Sequence, residues 1–282
     1  MEEKQIQWFP GHMAKTRRII TESMALTDAV VEIVDSRIPV SSRNPELAGI
    51  ISNKPVLVVL NKSDLADPQA TSKWISKLCS GSKAAIAVSC KTGKGINEFY
   101  PAVKELLAEK IEQNIKRGMV GRKLRIMVVG IPNVGKSSFI NRICKKNRAK
   151  VEDRPGVTRS NQWFSVDKDI ELLDTPGVLW PKFEDPVVGR RLAFTGAVKD
   201  TVIDIETLAV ELISEIRKDY KDLLEQRYKI QISDSEDAYD ILCNIGKKRG
   251  MVIRGGEIDT ERAAVMLIDE YRGGVLGRIT LD

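Results

Sequence analysis

Residues 130–137, GIPNVGKS, follow the GxxxxGKS pattern, whose residue types are suited to holding phosphate. The apolar residues at 124–129 predict a buried strand before the motif, and the apolar spacing over 139–143 predicts an amphipathic helix after it. A glycine-rich turn between strand and helix directs backbone N–H groups and a helix N-terminus at one point, where phosphate can bind. We expect Lys136 to reach the β- and γ-phosphates and the Ser137 hydroxyl to bind Mg²⁺.

A second motif, NKSD at residues 61–64, follows a continuous apolar strand predicted at 55–60. The Asp64 carboxylate can accept hydrogen bonds from guanine N1–H and the guanine 2-amino group together. Adenine has no 2-amino group and its N1 is an acceptor, so this position favours GTP over ATP. We expect Asn61 to brace the base and the neighbouring loop, and the Lys62 stem to cover the face of the base.

Three further elements fall where a nucleotide switch needs them. Ser89 and Cys90 follow a predicted strand and are similar to the SAK loop that supports guanine O6, with cysteine in place of alanine. Asp174 can hold Mg²⁺ through water, and the Gly177 N–H can reach the γ-phosphate. Thr158 offers a second hydroxyl to the metal, although a plain turn threonine is the alternative. The candidate nucleotide-binding residues are therefore Asn61, Lys62, Ser63, Asp64, Ser89, Cys90, Asn133, Val134, Gly135, Lys136, Ser137, Ser138 and Gly177, and the candidate Mg²⁺ ligands are Ser137, Thr158 and Asp174.

The order of these motifs is a cyclic permutation of the usual one. A Ras-like domain runs from the phosphate loop through the switch threonine and DxxG to NKxD and SAK. Here the last two come first, and a predicted helix at 96–116 returns the chain to the phosphate loop at 130–137. The sheet can keep its arrangement because only the connections change. The sequence thus predicts an α/β fold, a circularly permuted Ras-like domain with a mostly parallel sheet.

Several longer segments resemble the circularly permuted GTPases of the TRAFAC class that act in ribosome biogenesis. They are the phosphate loop with residues 7–15 (QWFPGHMAK), 35–39 (DSRIP), 42–45 (SRNP) and 174–182 (DTPGVLWPK), and the resemblance covers nearly the whole chain. It implies a GTP hydrolase that acts as a switch in late assembly of the large (50S) ribosomal subunit, with hydrolysis stimulated by the subunit. The implied partners are GTP and GDP, rRNA and ribosomal proteins, and the free protein is expected to be a monomer.

Apolar spacing and charge predict two domains. Residues 1–180 hold all the motifs, whereas 181–282 carry helical spacing at 188–198, 205–220, 235–248 and 260–272. Residues 101–160 contain 15 Lys and Arg against 5 Asp and Glu, a balance suited to rRNA phosphates or to a solvated surface. Residues 201–282 contain 12 against 17, so the helical domain, which the resemblance implies binds rRNA, is expected to use a local face such as 247–250 (KKRG).

Composition points to the cytoplasm. The four cysteines have no CxxC spacing, and a single histidine disfavours a Cys/His zinc site. There is no apolar run long enough to cross a membrane and no signal-peptide pattern after Met1. We therefore expect a cytoplasmic protein without membrane association.

The group that activates water is the open point. Ras-like enzymes place a glutamine after the DxxG glycine, but this chain has Val178, which cannot orient water. The resemblance favours His12 as the substitute, together with Lys136 as a catalytic charge; a structural or rRNA-facing His12 is the alternative. Asn133 resembles the asparagine of GTPases that bind K⁺ beside the phosphates, and a loop-bracing asparagine is its alternative.

A different class of function also fits a GTP-binding domain. A tRNA-modifying or metabolic enzyme could use GTP as an energy source. Against it, the sequence shows no metal cluster, no nucleophile paired with a base and no second cofactor motif.

Overall fold

The structure, a computed structural model, describes residues 18–51, 54–81, 83–144, 162–166, 168–175, 177, 185–198 and 204–282. His12, Thr158 and Val178 lie outside the described residues. The chain divides into two compact units, Met1–Glu184 with Asp282, and Asp185–Leu281. The sequence analysis expected a nucleotide-binding domain at 1–180 and an rRNA-binding domain at 181–282, and this division of function stays a prediction.

In the part of the chain that the structure describes, the first unit is built on one six-stranded sheet. Its strands in chain order are β1 (Ala29–Asp35), β2 (Val56–Asn61), β3 (Lys83–Ala87), β4 (Leu124–Val129), β5 (Gln162–Ser165) and β6 (Ile170–Asp174). Their spatial order is β3-β2-β1-β4-β6-β5. All neighbours pair in parallel except β5, which runs antiparallel to β6. The predicted mostly parallel α/β fold is confirmed, and the antiparallel edge strand β5 is an element that the sequence analysis did not include.

Helices cover the sheet because its central strands are apolar on both faces. Every residue of β1 and β2 is buried, as expected for strands enclosed in an α/β fold. The helices are α1 (residues 18–24), α2 (Pro45–Ile51), α3 (Pro68–Leu78), α4 (Phe99–Leu106), α5 (Ala108–Lys116) and α6 (Lys136–Ile143). The helix predicted at 96–116 is instead a 3-10 turn at Ile96–Glu98 followed by α4 and α5. The break falls at Leu107, which is buried with non-helical backbone angles.

The second unit contains α7 (Pro186–Phe194), α8 (Ile205–Tyr228), α9 (Ala238–Lys248) and α10 (Thr260–Gly273). Each begins after an aspartate whose carboxylate accepts a hydrogen bond from a first-turn N–H; the caps are Asp185, Asp204, Asp237 and Asp259.

The helix predicted at 205–220 is longer than expected, because α8 continues to Tyr228 with a kink at Tyr220. The Tyr220 hydroxyl donates to the Thr280 carbonyl at 3.2 Å. Among the described residues, no helix has the length and apolar character needed to span a bilayer.

Candidate functional site

The candidate site lies at the carboxyl edge of the sheet, where open α/β folds bind ligands. Asp35 ends β1 directly beside Asn61 at the end of β2. Asp174 ends β6 opposite Val128 of β4, the strand that leads into the phosphate loop. Motifs separated by more than a hundred residues in sequence therefore meet at one edge.

The phosphate loop has the backbone shape that its glycines predict. Gly130 and Gly135 have φ values of 149° and 94°, and Asn133 adopts a left-handed φ of 61°. Among the described residues, no side chain caps α6, which starts immediately after Gly135. The first-turn N–H groups of this helix thus belong to the loop that is expected to hold phosphate. Ser137 and Ser138, both half-buried, occupy this first turn.

Lys136 is buried, and its ammonium group folds back onto the loop. Its Nζ donates to the carbonyl oxygens of Gly130 at 3.1 Å and Ile131 at 2.9 Å. Burial lowers the pKa of Lys136 to about 8, and the negative charge of Asp174 opposes this shift only in part. A nearby phosphate would stabilise the charged form, so the environment suits an anionic ligand.

Gly177 lies against the phosphate loop. A Cβ atom at this position would lie 2.9 Å from Lys136 Nζ and 2.9 Å from the Pro132 nitrogen. Such distances are too short for carbon, so glycine is required for the close approach. The DxxG loop and the phosphate loop therefore meet at the residue expected to reach the γ-phosphate.

Asn61 joins three loops through its side-chain amide. Its Nδ2 donates to the Val134 carbonyl at 2.8 Å, and its Oδ1 accepts from the Cys90 N–H at 3.2 Å. A Cβ at Gly135 would lie 2.3 Å from the same Nδ2, so glycine is needed here as well. The expected bracing role of Asn61 corresponds to these contacts with the phosphate loop and the SAK-like loop.

Asp64 presents an acceptor without a donor. Its Oδ1 is buried and accepts no hydrogen bond from any residue that the structure describes. Leaving a buried acceptor unsatisfied costs about 1–3 kcal/mol. Guanine N1–H and 2-amino donors are of the type that this acceptor could receive, and the role of Asp64 in base binding stays a prediction. Ser63, buried beside it, donates its backbone N–H to Val88 at 3.1 Å and ties the loop to the end of β3.

Lys62 adopts a left-handed φ of 60°, and its Nζ lies 2.9 Å from Asp35 Oδ2. The same carboxylate receives Arg37, whose Nη2 lies 2.7 Å from Oδ2 and whose Nε lies 2.9 Å from Oδ1. Burial alone would raise the pKa of Asp35, but the two cations outweigh burial and hold the pKa well below its usual range. Asp35 is thus held in its charged carboxylate form at neutral pH.

The SAK-like loop is held from two sides. The Ser89 hydroxyl accepts from the Thr92 N–H at 3.1 Å, while Cys90 is bound by Asn61. Arg142 of α6 donates to the Lys91 carbonyl at 3.2 Å. Burial raises the pKa of the Cys90 thiol to about 12, so this cysteine is a neutral packing group.

The residues expected to bind Mg²⁺ fit that ion where the structure describes them. Ser137 lies in the first turn of α6, and the buried Asp174 ends the strand beside β4. A hydroxyl and a carboxylate are hard oxygen donors, the type that Mg²⁺ prefers. Thr158, the third expected ligand, lies outside the described residues.

Comparison with known proteins identifies the family. Ribosome biogenesis GTPase A from Bacillus cereus (strain ATCC 14579) is 47% identical over 277 residues, which cover 98% of this chain and 93% of that protein. The chain belongs to the ribosome biogenesis GTPase A family. Membership in this family makes it a GTP hydrolase, and GTPases of this kind generally use Mg²⁺.

Solved structures and a family model agree with the membership in ribosome biogenesis GTPase A. The GDP-bound structure of TM YlqF has a TM-score of 0.65 at 25% identity and covers 94% of this chain and 98% of its own. GNP-bound YlqF from T. maritima has a TM-score of 0.64 at 25% identity, covering 95% and 97%. The family described as "50S ribosome-binding GTPase" matches residues 125–244. That match starts in β4 and leaves out residues 61–64, consistent with a permuted motif order.

Sequence reasoning missed some contacts of this ribosome biogenesis GTPase A site. The sequence places Arg142 on the polar face of the helix predicted after the phosphate loop, and no sequence signal distinguishes it from other helix arginines. Thr175 is fully buried, and its Oγ1 donates to the Val128 carbonyl at 2.7 Å, which fastens the DxxG loop to β4. From the sequence, Asp35 follows an apolar strand at 30–34, a position that predicts only a role in shaping the mouth of the site. Its contact with Lys62 requires knowledge that β1 and β2 are neighbours in register.

Proposed function

We propose that this protein hydrolyses GTP as a switch in late assembly of the large (50S) ribosomal subunit, and that the subunit stimulates hydrolysis. Water attacks the γ-phosphorus, the bond to the bridging oxygen breaks, and GDP and phosphate are released. Two observations support this function: the candidate nucleotide site described above, and the membership of the chain in the ribosome biogenesis GTPase A family. It includes rRNA and ribosomal proteins as partners and a cytoplasmic, monomeric free protein.

The observation that carries the nucleotide assignment is the buried, unsatisfied Oδ1 of Asp64. It lies in the loop that Asn61 ties to the phosphate loop. An adenine ring offers no donor pair for this acceptor, whereas guanine offers two. The candidate site residues from Asn61 to Gly177 are therefore proposed as the GTP-binding set.

Two ions complete the proposed site. Ser137, Thr158 and Asp174 would hold Mg²⁺, with Asp174 acting through water, and Mg²⁺ neutralises charge on the β- and γ-phosphates when it is bound. Asn133 is proposed as a ligand to K⁺ beside the phosphates. His12, supplied from the segment before α1, is proposed to orient the attacking water because Val178 has no polar group.

The helical unit is proposed as the rRNA-binding part of the switch. Lys247, Lys248 and Arg249 end α9 and are exposed, and Arg249 also lies over the Tyr228 ring at 5.3 Å. Lysine and arginine in such a cluster release counterions when they meet RNA phosphates. The segment after Gly177 continues in sequence into this unit, so a change in the DxxG loop can alter how the unit docks.

Co-sedimentation with large ribosomal subunits tests the proposal. We expect the protein to sediment with the 50S subunit in the presence of a non-hydrolysable GTP analogue and to leave it with GDP. Lys136→Ala, which removes the phosphate-binding ammonium, is the matched control and should lose the nucleotide dependence. Equal sedimentation in both nucleotides, or association with tRNA instead, would reject the ribosome-assembly switch.

A further inference from the structure

We propose that Asp35 is a positioning residue for guanine-nucleotide binding, acting by fixing the Lys62 side chain across the base site. This inference rests on the proposed function, because it assumes that the loop at 61–64 holds guanine. It concerns a residue before the base-binding motif in sequence, which reaches the motif through the pairing of β1 with β2.

The contacts of Asp35 exceed those needed to hold Arg37. The Arg37 backbone N–H, Nε and Nη2 already donate to the carboxylate at 3.1, 2.9 and 2.7 Å. Arg37 is buried to the same degree as Asp35, so this pair alone balances one negative with one positive charge. Lys62 is then a second cation on the same carboxylate, at 2.9 Å. The Asp35–Arg37 pair thus serves as a fixed anchor for a lysine from the loop that follows β2.

Lys62 has the properties of a side chain that needs an anchor. One quarter of its side chain is exposed, and a lysine in that situation is ordinarily mobile. Its backbone holds the left-handed φ of 60°, which is unfavourable for residues with a Cβ. The ion pair to Asp35 provides an interaction that holds both the stem and the backbone in place.

The position of Lys62 connects the anchor to the base. It lies between Asn61, which is bound to Val134 of the phosphate loop, and Ser63-Asp64, which present the guanine acceptor. A stem that is fixed before the ligand arrives loses less rotamer freedom on binding. Asp35 therefore acts on affinity through Lys62 without touching the nucleotide or the reacting phosphate.

A double-mutant cycle measured by GDP binding tests this inference. Asp35→Asn keeps the shape but turns an amide donor toward the cations, and Lys62→Met keeps an apolar stem but removes the ammonium. We expect each change to raise the Kd for GDP about three- to tenfold. The Kd of the double variant for GDP should equal that of the single variant that binds GDP less tightly, because both changes break the same contact. The kcat of Asp35→Asn should stay within about twofold of wild type, with the effect in KM.

Glu32→Gln is the matched control. Glu32 is another buried carboxylate of β1, paired with Arg43 at 2.6 Å, and it makes no ion pair with the base loop. Its replacement should lower stability without changing the Kd for GDP. If Asp35→Asn fails to fold, unchanged GDP affinity in Lys62→Met would still overturn the anchoring role, since Asp35 keeps Arg37 in that variant.

The outcomes separate this inference from the proposed function. Wild-type GDP affinity in Lys62→Met, or multiplying effects in the double variant, would overturn the anchoring role and leave the nucleotide site intact. Failure of the wild-type protein to bind GDP at all would instead reject the guanine-nucleotide assignment.

Discussion

At the scale of single residues, the candidate site contains two buried polar groups, Asp64 and Lys136, whose chemistry matches that of a guanine nucleotide. The Asp64 carboxylate has a buried acceptor without a donor, and Lys136 is a buried ammonium whose pKa is lowered to about 8. Both states are costly in isolation, because unsatisfied acceptors and buried charges lose their hydration. In the proposed site, guanine donors and phosphate charge would compensate both groups, so a single ligand that carries both is expected to bind selectively.

Base selectivity follows from Asp64. Replacing Asp64 with Asn places an amide donor opposite the guanine 2-amino donor, so GTP affinity should fall about a hundredfold, or about 3 kcal/mol. Xanthine has a 2-oxo group that accepts from the amide, so xanthosine triphosphate should bind the variant better than GTP does. Competition binding of the two nucleotides checks this. Unchanged guanine preference would remove the 61–64 loop from the base site.

Lys136 predicts proton uptake when nucleotide binds. Burial lowers the pKa of Lys136 from its ordinary value of 10.5 to about 8. Above about pH 8, part of the Lys136 side chain is therefore neutral in the folded protein. Bound phosphates favour the ammonium, so GDP binding at pH 8.5 should take up a fraction of a proton. At pH 6.5 Lys136 is already charged, and the uptake from this group should vanish. Calorimetry in buffers of different ionisation enthalpy measures the difference; equal uptake at both pH values would contradict it.

At the scale of elements, the loops of the site depend on backbone turns as much as on side chains. Gly95 follows the SAK-like loop with φ 76°, and a Cβ there would lie 2.1 Å from the Ala87 carbonyl oxygen. This contact places the turn directly on the end of β3. The loop that carries Ser89 and Cys90 is thereby held between its strand and the first turn before α4.

Gly95→Ala tests this turn. It should cost about 3 kcal/mol of stability through left-handed strain and overlap with backbone, and GDP affinity should fall about tenfold as the SAK-like loop shifts. Gly81→Ala is matched to it, because Gly81 also has a left-handed φ of 56° but nothing lies within 4 Å of its Cβ position. That control should cost about 1 kcal/mol and leave GDP binding unchanged. Urea unfolding and GDP titration give both quantities; equal effects would contradict the overlap.

At the scale of the whole molecule, the permuted chain order places the DxxG loop directly before the helical unit in sequence. The DxxG loop lies against the phosphate loop at Gly177, and the chain after it leads to α7 and the helical unit. In the unpermuted order, DxxG would lead back into the same sheet. The permutation thus provides a covalent path from the γ-phosphate sensor to the proposed rRNA-binding unit.

Hydrolysis should accordingly depend on the subunit, on K⁺ and on His12. We expect slow turnover by the free protein and strong stimulation only when the 50S subunit and K⁺ are both present. His12→Ala should leave GTP affinity nearly intact and lower the stimulated rate about a hundredfold, because the contact forms mainly in the transition state. Single-turnover hydrolysis on the subunit, in K⁺ and in Na⁺, measures both roles. A fast His12→Ala variant that still binds the subunit excludes His12, and equal rates in Na⁺ exclude the K⁺ role of Asn133.

The sequence by itself determined the class of fold and the identity of the nucleotide motifs. The phosphate loop and the NKxD motif are each a short continuous stretch that follows an apolar strand. Their chemistry can therefore be recognised from a few adjacent residues. The permuted order and the parallel sheet followed from the order of those motifs. Strand limits were predicted to within about two residues for the same reason.

Only the tertiary structure decided which residues from separate sequence motifs contact one another. The anchoring of Lys62 by Asp35, the reach of Arg142 to the SAK-like loop and the contact of Gly177 with Pro132 join residues distant in sequence. The kink at Tyr220 coincides with a contact far along the chain, because the Tyr220 hydroxyl donates to the Thr280 carbonyl. The break at Leu107 interrupts a segment whose apolar spacing is helical on both sides. Strand register and side-chain packing determine such contacts, and they arise only when the chain is folded.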